Sequence, residues 1–164
     1  MFENKIKELL DNRPFNPSDD GTLVCYNSRG YFITTKCEKC EHDIDFILWI
    51  IVDGEKRPDL LQQIMEGSLH DPKCTNCGNI NHLNADLLLF RQNGSPVLIF
   101  SPTDVSDVEE SNKVGRSFLL KLKQQLGANW NNEWYEKDGK RGMFTVARQF
   151  LPMFIKMGTL SFNE

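Results

Sequence analysis

Two Cys-x-x-Cys pairs, Cys37-Glu38-Lys39-Cys40 and Cys74-Thr75-Asn76-Cys77, constrain this chain more than any other feature. Four thiols grouped two and two are the donor set of a tetrahedral all-cysteine metal site, with each pair wrapping one edge of the ion. Thirty-three residues separate Cys40 from Cys74, more than the roughly 15–20 of the simplest double-pair template. A strand and a helix fit into that interval, so the pairs are expected to close a long structured loop around one zinc ion. A shell filled by Cys37, Cys40, Cys74 and Cys77 leaves no position for water, and the zinc is expected to be structural.

The competing chemistries for paired cysteines are redox catalysis and disulfides. A dithiol catalyst places its pair at a helix N-terminus, and neither pair here opens an obvious helix. The start of the chain lacks the layout of a signal peptide, and no apolar run approaches the roughly 18 residues of a membrane span. The expected location is therefore cytoplasmic, where disulfide frameworks are rare. The fifth cysteine, Cys25, lies between Val24 and Tyr26 in a strand pattern and reads as a small buried hydrophobe. His42, His70 and His82 are near the pairs in sequence. Any of them could replace a thiolate, but loop histidines that are exposed or hydrogen-bonded are the commoner case.

Around the cysteines the pattern alternates between strand and helix. Phe2, Ile6, Leu9 and Leu10 mark a short amphipathic helix ending before Pro14, and a polar linker follows. Thr22–Tyr26 and Gly30–Thr35 read as strands joined by residues 27–30, which places the first pair at a hairpin end. Phe46–Val52 is an unbroken apolar run, expected as a buried strand. Pro58 opens a helix with an inner face of Leu60, Leu61, Ile64 and Met65, and Gly67 stops it. Leu87–Phe90 and Pro96–Phe100 flank Asn93-Gly94 as a hairpin.

Beyond Ser101-Pro102 the pattern turns helical. Ser106 and Glu109 have capping-box spacing, and Val114, Phe118, Leu122 and Leu126 form a stripe. A last helical pattern runs from Met143 to Met157, broken at Pro152, with Arg148 and Lys156 its only charges. The expected fold is α+β: a zinc-ribbon-like antiparallel β core with an inserted helix, plus C-terminal helices. The expected division is residues 1–103 and 104–164.

Several motifs between the cysteines add a family likeness. Arg57-Pro58-Asp59-Leu60, Glu66-Gly67-Ser68-Leu69-His70, Cys74-Thr75-Asn76-Cys77-Gly78 and the closing Phe100-Ser101-Pro102 occur in the order of the bacterial CpXC domain. The stretch from about Cys37 to Pro102 resembles that family, whose biochemical role is undetermined. The resemblance implies the two Cys pairs as zinc ligands and says little about a reaction. The family usually has proline after the first cysteine of each pair; Glu38 and Thr75 stand there instead. The first pair also lacks a following glycine. Both departures bear on turn rigidity, not on ligand chemistry.

No Gly-x-Ser-x-Gly, His-Glu-x-x-His or phosphate-binding glycine loop is present. The chain is therefore expected not to be an enzyme. The leading expectation is a zinc-stabilised protein-interaction module, a subunit or regulator of a larger assembly, docking a protein partner through its C-terminal helices. The alternative for those helices is that both faces pack in the protein's own core, and a homo-oligomer is left open. The net charge of −4 argues against a general nucleic-acid binder. The alternative of a nucleic-acid-binding zinc ribbon rests on Arg29, Lys36 and Lys39 beside Tyr26, Tyr31 and Phe32. A second alternative is a thiol redox or metal sensor.

Overall fold

Where the apolar runs are continuous, the chain builds a sheet covered on both faces. The computed structural model describes residues 2–137, 140–141 and 143–160. The elements are α1 (Phe2–Leu9), β1 (Asn16–Pro17), β2 (Thr22–Cys25), β3 (Ser28–Lys36), β4 (Asp43–Asp53), α2 (Pro58–Glu66), β5 (Leu87–Phe90), β6 (Leu98–Ser101), α3 (Val108–Leu126), β7 (Glu136–Lys137), β8 (Lys140–Arg141), β9 (Met143–Thr145) and α4 (Leu151–Leu160). One seven-stranded sheet has the order β1-β2-β3-β4-β5-β6-β9, and β7 pairs with β8 separately. The fold is α+β. Its sheet is mixed and not purely antiparallel as expected, because β4 and β5 run parallel, as do β6 and β9.

Side chains on β5 and β6 alternate between two cores, as strand geometry requires. Leu87, Leu89 and Ile99 join Leu60, Ile64, Leu151 and Ile155 on the face covered by α1, α2 and α4. Leu88, Phe90, Leu98 and Phe100 meet Phe118, Leu119, Leu122 and Leu126 of α3 on the other. Burial on both faces explains why β5 reads Leu-Leu-Leu-Phe without polar alternation. Each such side chain contributes about 1.5–3 kcal/mol relative to leaving it in water. On β4 the pattern changes phase: Ile47 and Trp49 face the first core, Ile50 and Ile51 the second, and Val52 the first again. The register with β3 jumps from Gly30↔Trp49 to Arg29↔Ile51, so Ile50 is an extra, bulged residue.

Several local expectations are met and others move. Pro58 occupies the first turn of α2 and Gly67 closes it with φ 74°. The β2–β3 turn is tighter than expected: Tyr26 and Asn27, both at positive φ, connect the strands, and Ser28 already pairs with Cys25. The cap of α3 is Asp107, whose side chain accepts the Glu110 N–H, while the Ser106 hydroxyl is taken by Asp104. Asp107 and Glu110 repeat the capping spacing one residue later, and a carboxylate is the better acceptor.

The largest correction is at the C-terminus. Met143–Thr145, expected as helix, is strand β9 against β6; a 3-10 turn at Arg148–Phe150 follows, and α4 starts only at Leu151. Pro152 lies in the first turn of α4, where it breaks nothing. The segments expected at 1–103 and 104–164 thus share one sheet. Residues 138–139, Gly142 and residues 161–164 of the second segment lie outside the described residues.

Candidate metal centre

Parallel pairing of β4 with β5 requires the intervening chain to return to the end of the sheet where β4 began. That crossover contains α2 and then the second cysteine pair, so it carries Cys74 and Cys77 back to the tip of the β3–β4 hairpin. The first pair occupies that tip, just beyond the register pair Lys36↔Asp43.

The two turns are built alike. The Cys37 N–H donates to the His42 carbonyl, and the Glu41 N–H to the Cys37 carbonyl, both at 2.9 Å. In the second turn, the Cys74 N–H donates to the Asn79 carbonyl and the Gly78 N–H to the Cys74 carbonyl, again at 2.9 Å. A lone bridge, Lys73↔Ile80, flanks it as Lys36↔Asp43 flanks the first. Gly78 has φ 77°, and the corresponding residue of the first turn, Glu41, is forced to φ 62°. The missing glycine noted in the sequence is therefore a strained glutamate, with the turn unchanged.

The four Sγ atoms lie within 4.8 Å of one another. Cys37 and Cys77 approach at 3.6 Å, as do Cys40 and Cys74, so the closest contacts run between the pairs. A tetrahedral ion with bonds of about 2.3 Å needs sulfur–sulfur edges of about 3.8 Å, and the cluster fits that geometry. All five cysteines are free thiols. Cys37 and Cys74 are buried, Cys40 is partly buried and Cys77 is exposed.

Hydrogen bonds bias the first pair toward thiolate. The Cys37 thiol is lowered to about 6 by the Cys40 backbone N–H first, with the Lys39 N–H and the Asn81 side chain adding to it against desolvation. Cys40 is lowered chiefly by the Asn76 side chain. Cys77 receives the Asn79 N–H, yet desolvation and the three neighbouring sulfurs push it up to about 11. The neighbouring sulfurs thus favour the protonated form of Cys77 where no cation compensates. A dication held by Cys37, Cys40, Cys74 and Cys77 would favour the thiolate form of its ligands.

Sequence reasoning missed two asparagines that cross between the turns. Asn76 of the second turn points Nδ2 at Cys40 Sγ, 3.5 Å away. Asn81, 1% exposed, accepts the Glu38 N–H at 2.8 Å and directs Nδ2 toward Cys37 Sγ at 3.7 Å. Nothing in a polar loop such as Asn79-Ile80-Asn81 distinguishes the structural asparagine before its burial is known.

The other sequence candidates lie elsewhere. Among the described residues the thiol cluster includes no histidine. His70 is buried, with Nε2 2.6 Å from the Trp49 carbonyl, and His82 pairs with Asp71 at 2.9 Å. Cys25 is buried beside Arg57, whose Nη1 is 3.4 Å from its sulfur and whose guanidinium stacks on Trp49. The residues proposed to hold nucleic acid are divided. Arg29 is buried against Thr22 and Gln125, Lys36 pairs with Asp43, and Phe32 and Tyr31 pack against opposite cores.

A mixed sheet with helices on both faces and a four-thiol cluster at the tip of its β3–β4 hairpin defines an α+β protein with a candidate metal centre. Residues 35–148 match the family model described as CpXC protein, and the chain belongs to that family. The match extends well past Pro102 and includes β9, which pairs with β6. Neither the comparison with curated proteins nor that with solved structures returned a match. No helix among the described residues is long and apolar enough to cross a membrane.

Proposed function

We propose that the chain is a non-catalytic, zinc-stabilised protein-interaction module, a subunit or regulator of a larger assembly, working in the reducing cytoplasm. The observation that carries this reading is the all-thiol donor set: four sulfurs fill a zinc ion's tetrahedral shell and leave no position for a reacting water. Cys37, Cys40, Cys74 and Cys77 would hold the ion, which supplies folding free energy by tying the hairpin tip to the crossover.

The docking element is the C-terminal segment. Phe150, Met153 and Met157 recur along one side of α4 and its preceding turn, and are 48%, 49% and 56% exposed. Flexible thioethers beside an aromatic ring suit a surface that packs against another protein. Truncation at Ser101 is a poor test, since it would strip β9 from the sheet. Met153→Glu and Met157→Glu, made in the full chain, leave the sheet intact. Affinity purification from the native host should recover a protein partner with the wild-type chain and lose it with these variants, at unchanged zinc content. Recovery of the same partner with both variants would reject the docking role.

A redox- or metal-sensing role is the second reading, supported by the exposure of Cys77 at the edge of an otherwise covered cluster. Zinc release on adding hydrogen peroxide, restored by thiol reductant, would favour it.

A further inference from the structure

Arg148 is the last residue of the family match and lies outside the metal centre. It lines a cleft of about 530 Å3 formed by the loop after α2, residues 82–85, the segment following β6 and the turn before α4. That size falls within the roughly 300–1,000 Å3 of small-molecule sites. Its guanidinium is held at three points, each by a neutral acceptor. Nε donates to Ser101 Oγ at 3.3 Å, Nη1 to His70 Nδ1 at 3.0 Å and Nη2 to the Ala85 carbonyl at 2.7 Å. His70 can accept only because its other nitrogen carries the proton, donated to the Trp49 carbonyl. Burial, reinforced by Arg148, holds His70 down at about 4, so it stays neutral.

The arginine's charge is therefore fixed in place without being neutralised. Among the described residues no carboxylate lies within ion-pair distance of it. The nearest negative charges, Asp86 and Asp71, act on it from farther away. Both are engaged: Asp86 accepts the Thr103 N–H at 2.7 Å, and Asp71 pairs with His82 at 2.9 Å. A largely buried cation with only neutral partners is costly to keep. A guanidinium has five N–H bonds, and one on each terminal nitrogen remains unused here.

We infer that this cleft binds a small organic monocarboxylate, anchored on the two unused N–H bonds of Arg148. One cation with two carboxylates in the background balances a single negative charge better than the two of a phosphate. Leu83, Val105 and Ala147 on the walls provide an apolar bed for the rest of the ligand. The His82 imidazole, tied through Nδ1 to Asp71, stands at the wall with its other nitrogen available for a second polar contact.

The test uses the whole, zinc-loaded, isotopically labelled chain. Isobutyrate, benzoate and phenylacetate are titrated at constant ionic strength, with phosphate and chloride as comparisons, and shifts of the Thr103 amide and the His70 and His82 rings are followed. At least one carboxylate should saturate with a Kd below about 1 mM, and phosphate should bind at least about ten-fold more weakly. Arg148→Gln should weaken binding by about ten-fold or more, the loss of a charge-assisted bond. Because Arg148 also ties three segments together, Val105→Glu provides a second variant. Val105 is 49% exposed, touches none of the Arg148 bonds, and its replacement sets a competing carboxylate in the cleft wall. It should lose binding with an unchanged melting temperature. No saturation by any of the three carboxylates, equal binding by Val105→Glu, or tighter binding of phosphate would each overturn the assignment.

Discussion

Asn81 joins the two cysteine turns through one side chain: Oδ1 takes the Glu38 N–H at 2.8 Å while Nδ2 lies 3.7 Å from Cys37 Sγ. The residue follows the second turn, where Nδ2 also donates to the Asn79 carbonyl at 3.3 Å, while Glu38 and Cys37 belong to the first. Asn81→Ala should therefore act on the metal as well as on the fold. Loss of a group that orients a ligand typically weakens metal retention by about 10–100-fold. Leaving the Glu38 N–H without its partner adds about 1–3 kcal/mol of destabilisation. Competition with a chromophoric chelator, alongside thermal melts, measures both. Asn76→Ala, at an exposed position, should show a smaller version of the same effect. Equal zinc retention in all three proteins would remove Asn81 from the site.

Purified protein should contain one zinc per chain by elemental analysis. Cys40→Ser and Cys74→Ser should lose it and melt with reduced cooperativity, since binding energy here is also folding energy. Cys25→Ser should retain the metal and cost about 1–3 kcal/mol, because its cost is that of a buried polar group. Two disulfides and little zinc after purification in reductant would contradict the prediction.

The two turns make the same demand at equivalent positions and meet it with different residues. Glu41 holds φ 62° with a β-carbon, whereas Gly78 holds φ 77° without one. A left-handed conformation costs an L-residue about 1–2 kcal/mol, part of which glycine returns through its freer unfolded state. Glu41→Gly should raise stability by up to about 1 kcal/mol, and Gly78→Ala should lower it by about 1–2 kcal/mol. Denaturant melts of the zinc-loaded proteins would show the two signs. A destabilising Glu41→Gly would mean that the glutamate side chain contributes more than its backbone strain.

His70 predicts an acid-sensitive contribution to folding. Its imidazole titrates at about 4 in the folded chain, against an ordinary value of 6.5. Between those values the unfolded state binds a proton that the folded state refuses. Stability is then fully present above pH 6.5 and falls as the pH drops toward 4, by about 3 kcal/mol in order of magnitude. The cysteines also lose stability in acid, so the relevant quantity is the difference between wild type and His70→Gln. That difference should shrink as the pH falls from 6.5 to 4. A constant difference across the window would show that His70 is not held neutral by its surroundings.

The sequence by itself determined the parts that rest on local chemistry. Cys-x-x-Cys spacing specifies a ligand turn wherever it falls. Pro58 and Gly67 bound α2, because one lacks an N–H and the other has no β-carbon. The apolar run at 46–52 cannot be solvated and becomes the interior of β4. In each case the determining physics acts over a few residues, so one segment contains its own answer.

Tertiary structure decided the rest. Met143–Thr145 fits a helical pattern as well as a strand pattern, and only the open edge of β6, which offers three residues of parallel pairing, selects strand. The direction of β5 beside β4 places the second cysteine pair at the hairpin tip, yet neither strand's composition encodes that direction. Asn81 and Arg148 are ordinary loop residues until burial withdraws water and leaves their polar groups to be satisfied by distant parts of the chain. Hydrogen-bond demand inside a low-dielectric interior depends on what else arrives there. Sequence spacing within one segment does not contain that information.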